Sequence, residues 1–250
     1  MKQAKIFAHR GASGYAPENT LEAFALAQQQ GADGIELDVQ LSKDGVPVVF
    51  HDESLKRVSG HEGMIKDFTL EELKRIPVSN GFAQYPEARI PTLEEVLNLV
   101  KPGSMEINIE LKTGIFWYPE IEEKTLELVK KAGMEDRIIY SSFNHYSVQK
   151  IRQLAPEAET AYLLGDVILH AEEYARGSGV KGLHPALYHA HMADLLAEYC
   201  GSGLAVRVWT VNEEDQIRWL LERGVDAVIT NYPDRGVKVR SEAGSSLTKC

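Results

Sequence analysis

The chain reads as an α/β protein, a (β/α)8 TIM barrel with a small insertion after its second strand. Three observations predict this. Strand-like and helix-like patterns alternate from end to end, which argues for a parallel sheet with crossover helices. Short apolar runs rich in β-branched residues fall at 4–8, 34–39, 105–111, 137–141, 158–163, 180–183, 204–209 and 225–229, eight in all. The length of 250 residues is usual for such a barrel and suits one core. An open doubly wound sheet shares these local patterns, because periodicity does not report closure.

The first strand follows directly on Met1-Lys2-Gln3-Ala4-Lys5, with no apolar signal core and no small-residue cleavage site, so a cytoplasmic protein is expected. Helical patterns fill most gaps between strands, at 20–30, 120–132, 145–154, 167–177, 190–200 and 213–223. Asn19-Thr20-Leu21-Glu22 reads as a capping box, with Asn19 as N-cap and Glu22 reaching back. Gly31, Gly133 and Gly224 mark helix ends. After the second strand the pattern breaks. About sixty residues replace a single helix: a short strand at 46–50, then His51-Asp52, then a loop with one or two helical pieces. Long irregular connections in compact domains tend to be functional. The inserted segment, about 52–104, is expected to cover the site in part. A single domain of 1–240 is followed by a Ser/Gly/Ala-rich stretch, 241–250, that reads as a flexible tail.

Composition narrows the function. A net charge of −10 argues against nucleic-acid binding, which needs a basic surface. An acidic protein acting on a phosphate needs local cations or a metal. No apolar run approaches membrane-spanning length, so no stable membrane insertion is expected. Two cysteines, Cys200 and Cys250, form no disulfide framework and fit a reducing compartment.

The strands carry charge where core strands stay apolar. Alternation turns Ile35, Leu37 and Val39 one way and Glu36, Asp38 and Gln40 the other. Likewise Ile107, Ile109 and Leu111 oppose Glu106, Asn108, Glu110 and Lys112. The helix-facing side of a barrel is apolar, so the polar sets point inward, and active sites lie at the C-terminal strand ends. His9, Asp38, Glu110 and Lys112 fall there. Glu36, Asp38 and Glu110 would converge, and three carboxylates repel unless a cation sits among them. Oxygen ligation favours one hard divalent cation, Ca²⁺ or Mg²⁺, over zinc. A buried salt-bridge network with Arg10 and Lys112 is the alternative. His9 and His51 are candidate acid and base, since phosphodiester cleavage must deprotonate a nucleophile and protonate an alkoxide; both could instead ligate metal. Arg10 and Lys112 can neutralise a phosphate oxygen. Arg207 and Trp209 point inward, Trp209 as a pocket wall or, alternatively, as plain core packing. His184, at the end of the sixth strand, is placed to line the pocket; the other histidines read as surface or satisfied polar residues. The aromatic loop 114–118 is expected to pack on the insertion, with contact to a substrate tail or a lipid surface as the alternative.

Taken together and in order, His9-Arg10-Gly11, Pro17-Glu18-Asn19-Thr20, Glu36-Leu37-Asp38-Val39, His51-Asp52, Glu110-Leu111-Lys112 and Trp209-Thr210-Val211-Asn212 resemble the glycerophosphodiester phosphodiesterase family, in its cytosolic branch. Asn231-Tyr232-Pro233 fits the family's ending. The resemblance implies His9 and His51 as general acid and base. It implies a divalent cation on Glu36, Asp38 and Glu110, and phosphate binding by Arg10 and Lys112. The implied reaction is metal-dependent hydrolysis of a small glycerophosphodiester to sn-glycerol 3-phosphate and an alcohol. The first nucleophile is water or the glycerol 2-hydroxyl, and the sequence does not say which histidine gives the proton. The rival readings are a lysophospholipase D-type phosphodiesterase, a metal-dependent TIM-barrel lyase or isomerase acting on a phosphorylated metabolite, and a non-catalytic binding module. Oligomeric state is not legible.

Overall fold

The structure, a computed structural model, describes residues 3–246. Eight parallel strands, β1 (Lys5–His9), β2 (Gly34–Leu41), β4 (Glu106–Leu111), β5 (Ile138–Ser142), β6 (Glu159–Leu164), β7 (Gly182–Pro185), β8 (Ala205–Val208) and β9 (Ala227–Thr230), lie in one sheet. β1 pairs in parallel with both β9 and β2, which closes the barrel that periodicity left open. The ninth strand, β3 (Pro47–Val49), pairs antiparallel with the far end of β2. β2 thus outruns its pairing with β1, which stops at Glu36, and its last residues carry β3 above the barrel.

The outer ring is α1 (Leu21–Gln29), α4 (Leu93–Val100), α5 (Ile121–Ala132), α6 (His145–Leu154), α7 (Ala171–Gly177), α9 (Ala193–Gly201), α10 (Glu214–Glu222) and α11 (Pro233–Ser246), with short α8 (Leu187–Ala190) before α9. The outward faces of the strands pack on these helices in two buried clusters, one around Leu37, Ile107 and Phe24, the other around Leu183, Val206 and Val228. A smaller cluster of Phe7, Ile139, Ala161, Ala227 and Ile229 fills the barrel interior.

The insertion holds α2 (Lys56–Ser59), a 3₁₀ turn at Ile65–Asp67 and α3 (Leu70–Arg75) around a core of its own, from Val48 to Ile90. α4 belongs instead to the barrel: Leu93, Val96, Leu97 and Val100 join the main cluster. The separate unit therefore ends near 91, short of the expected 104. Residues 241–246, expected as part of a flexible tail, continue α11; 247–250 lie outside the described residues. Gly31, Gly133 and Gly224 all adopt positive φ at helix ends, as their lack of a Cβ allows. No helix of the described residues is long and apolar enough to cross a membrane.

Candidate active site

The polar faces of β1, β2 and β4 meet at the C-terminal mouth of the barrel. Parallel register sets His9 beside Glu36, and Asp38 beside Glu110. All three carboxylates are buried, and one ligand atom from each of Glu36, Asp38 and Glu110 lies within 4.8 Å of the others. Two cations stand nearby. Lys112 Nζ donates to Glu110 Oε1 at 2.8 Å and lies 3.6 Å from Asp38 Oδ1; Arg10 Nε is 3.5 Å from Asp38 Oδ2.

Two cations do not satisfy three carboxylates. Burial raises the Asp38 carboxyl, but Lys112 and Arg10 outweigh it and hold the group well below its usual range. Glu36 goes the other way, pushed well up by burial and by the charges of Asp38 and Glu110. Glu110 is also raised, chiefly by burial. Asp38 Oδ1 is buried with no hydrogen-bond partner. Crowded carboxylates with a raised pKa and an orphaned oxygen fit an oxygen-liganded divalent cation, so these residues can bind a metal.

His9 is sealed in. Its Nδ1 donates to Asn231 Oδ1 at 2.7 Å, and its Nε2 lies 3.9 Å from Glu36 Oε2. Burial, then the neighbouring Arg10 charge, lowers its pKa from the usual range to about 4, so it is neutral near pH 7. His51 is more open, with 31 % of its side chain exposed, and its Nδ1 donates to Asp52 Oδ1 at 2.6 Å. It acts electrostatically on His9, Asp38 and Glu110, and so faces the same site. Burial favours a protonated Asp52, but Arg57 and His51 bring its pKa down to about 2.

Several supporting residues escaped the sequence reading. Asn19 is not the cap of α1. It adopts φ +57°, a conformation asparagine tolerates, and donates Nδ2 to Asp38 Oδ2 at 2.8 Å. Thr20 caps the helix instead, through Ala23 N–H. Gln40, fully buried, donates to the carbonyls of Phe50 and Asp52 at 2.8 Å each and accepts from Tyr118 Oη–H at 2.9 Å; it pins the segment that carries His51. Arg57, from the insertion, donates Nε to Asp52 Oδ2 at 2.7 Å and Nη1 and Nη2 to Glu18 at 2.8 and 2.7 Å. Glu18 in turn accepts from Arg10 at 2.9 Å. One guanidinium thus ties the His51 side of the site to the Arg10 side. The Pro17-Glu18-Asn19 run, an acidic acceptor and an amide donor in the turn after β1, is the sequence signal for two of these residues.

The remaining expectations divide. Trp209 stands at the mouth after β8, edge-on to Phe143 with ring centres 5.5 Å apart, and donates Nε1 to the His184 carbonyl at 2.7 Å. His184 does not line the pocket. It is fully buried below it, accepts at Nε2 from Arg207 at 3.2 Å, and burial keeps it neutral. Arg207 points inward as expected but pairs with Glu159 at the barrel floor. The loop after β4 splits: Phe116 and Tyr118 pack inward, whereas Ile115 and Trp117 stand exposed. A cavity of about 180 Å³ joins Glu110 and Lys112 to Glu53, Ile115 and Phe143.

A sequence model described as the glycerophosphoryl diester phosphodiesterase family matches residues 9–235. A glycerophosphodiester phosphodiesterase of Bacillus altitudinis is 46% identical over 241 residues, 95% of this chain and 98% of that one. Another from Caldanaerobacter subterraneus subsp. tengcongensis is 39% identical, covering 96% and 98%. Among solved structures, an Oleispira antarctica phosphodiesterase in complex with the product sn-glycerol-3-phosphate superimposes with a TM-score of 0.87 at 32% identity, covering 96% of this chain and 97% of that one.

Proposed function

The chain belongs to the glycerophosphoryl diester phosphodiesterase family, and we propose that it hydrolyses small glycerophosphodiesters to sn-glycerol 3-phosphate and an alcohol. The observation that carries this reading is the buried trio Glu36, Asp38 and Glu110 with Lys112 and Arg10 beside it and His9 and His51 facing it. The trio would hold one divalent cation, Ca²⁺ or Mg²⁺, which supplies Lewis-acid charge to a phosphoryl oxygen.

The chain's own residues do the rest. Lys112 and Arg10 place positive charge where the phosphate gains negative charge. His9 is neutral, with its Nδ1 proton donated to Asn231, so its Nε2 lone pair is the atom that takes the proton from the nucleophile. His51, its Nδ1 proton held by Asp52, would act as the acid by carrying a second proton on Nε2 and giving it to the leaving alkoxide, while the proton taken by His9 passes to water as the site resets. Trp209 walls the pocket. The insertion is part of the single domain and carries the clamp on His51. The reaction is assigned to the cytoplasm, supported by cysteines that form no framework.

The test is a panel of glycerophosphodiesters incubated with Ca²⁺ or Mg²⁺, with enzymatic detection of glycerol 3-phosphate. Glycerophosphocholine should give glycerol 3-phosphate and choline. Release of phosphocholine and glycerol, or full turnover in excess EDTA, would overturn the reading.

A further inference from the structure

Exposed large apolar side chains are concentrated on one face. Nine of the twelve among the described residues lie in 113–120, 143–146, 165–170 and 186–192, the segments that follow β4, β5, β6 and β7. These four strands are consecutive neighbours in the barrel, so the segments form one arc along the mouth. Leu169 is 88 % exposed, Ile115 71 % and Trp117 59 %. Residues 167–169 fit a helical pattern in sequence, yet they precede α7 and project as a loop. Nothing in the barrel's own packing calls for this arc. A water-facing active-site rim is usually polar, and an apolar rim marks a surface that meets another apolar phase.

The charge of the arc selects the partner. The four segments themselves contain no lysine or arginine and carry Asp166 and Glu120. Cations gather at the 115–117 end, where Lys112 is held by Glu110, Lys66 by Asp67 and Lys124 by the Gly45 carbonyl, with Lys43 beside them. Attraction to an anionic membrane needs clustered cations. Aromatic residues beside aliphatic ones suit the boundary between headgroups and acyl chains. Ile115 and Phe143 share the cavity that reaches Glu110 and Lys112, so the apolar arc is continuous with the phosphate-binding groups.

We propose that the mouth of the barrel docks on a zwitterionic lipid surface through this arc, with the active site opening toward the headgroups. This rests on the phosphodiesterase reading of the site beneath. Contact is peripheral, through loops and without a spanning helix.

Flotation with phosphatidylcholine vesicles tests it, alongside glycerophosphocholine turnover measured without vesicles. The wild type should float with phosphatidylcholine vesicles, independently of salt, and not with phosphatidylglycerol vesicles. Its tryptophan emission should shift to the blue, and the shift should be lost in Trp117→Phe. The double variant Ile168→Asp, Leu169→Asp should lower partitioning about tenfold or more, as two apolar side chains leave the lipid. Its glycerophosphocholine turnover and circular dichroism should not change. Wild-type protein that stays in the aqueous fraction would overturn the proposal. So would flotation that the double variant retains, flotation only with phosphatidylglycerol, or self-association that the double variant abolishes in the absence of vesicle binding. Vesicle association without glycerophosphocholine hydrolysis would instead locate the failure in the phosphodiesterase reading.

Discussion

Replacing Arg57 with alanine should slow turnover without loosening the metal site. The Arg57 side chain is 45 % exposed, so solvent screens its charge. An exposed ion pair contributes about 0.2–1 kcal/mol, and Arg57 makes a two-pronged contact with each of two carboxylates, so about 1–2 kcal/mol of positioning energy is at stake. Expressed in the transition state, that is roughly a 5- to 30-fold loss in kcat/KM. The loss should fall mainly on kcat, because Arg57 reaches the chemistry only through Asp52 behind His51 and Glu18 behind Arg10. Without Arg57 the Asp52 carboxyl rises from about 2 toward its ordinary value, so activity on the acid side should fail at higher pH than in the wild type. Lysine at this position should restore only part of the rate, since a point charge cannot span both carboxylates. Steady-state kinetics across pH, with metal affinity measured by calorimetry, separate the outcomes. Turnover within twofold of wild type would show that the clamp does not position His51. An equal collapse of metal affinity would show that Arg57 supports the whole mouth.

His9→Ala and His51→Ala should each lower kcat by roughly 10²–10⁴-fold, the usual worth of acid–base catalysis; near-normal turnover in both would remove them from the chemistry. Glu36→Gln should abolish metal binding and stabilise the metal-free protein by about 1–2 kcal/mol at a pH high enough to ionise Glu36 in the wild type, because a crowded, buried carboxylate charge is removed. A raised folded-state pKa means that Glu36 favours the fold at low pH and costs stability as pH rises, so thermal melts of the metal-free wild type should show a steeper decline than those of Glu36→Gln, in which only Glu110 of the raised pair still titrates. Metal affinity of the wild type should rise with pH through and above the ordinary carboxylate range as Glu36 and Glu110 give up their protons; a flat calorimetric profile would contradict these shifts. Gln40→Leu should destabilise the protein by about 1–3 kcal/mol in urea unfolding, since it leaves the Phe50 and Asp52 carbonyls and the Tyr118 hydroxyl short of partners.

Much of this was legible along the chain because it depends on local periodicity. Eight apolar runs separated by helical patterns specify parallel strands, and the two-residue period within a strand places Glu36 and Asp38 on one face and Glu110 on the matching face of its neighbour. Register in a parallel barrel then brings those faces together, so the convergence of the carboxylate trio, His9 and Lys112 at one end of the barrel follows from the sequence pattern. Closure was not legible, because it depends on a pairing between the first and last strands across more than two hundred residues, Lys5 beside Ala227. The supporting contacts were hidden for a related reason. Asn19 reads as a helix cap in one dimension, and becomes a donor to Asp38 only because the turn after β1 adopts a left-handed backbone conformation beneath that carboxylate. His184 reads as a pocket residue until the depth of the barrel puts it below the pocket and against Arg207. Leu169 falls inside a helical pattern, 167–177, until the chain leaves it in a loop in front of α7. Residue type and spacing carry the chemistry of each group, whereas depth, backbone handedness and the chance neighbour across the barrel decide its protonation and its partner. Those are properties of distances through space that no local pattern encodes.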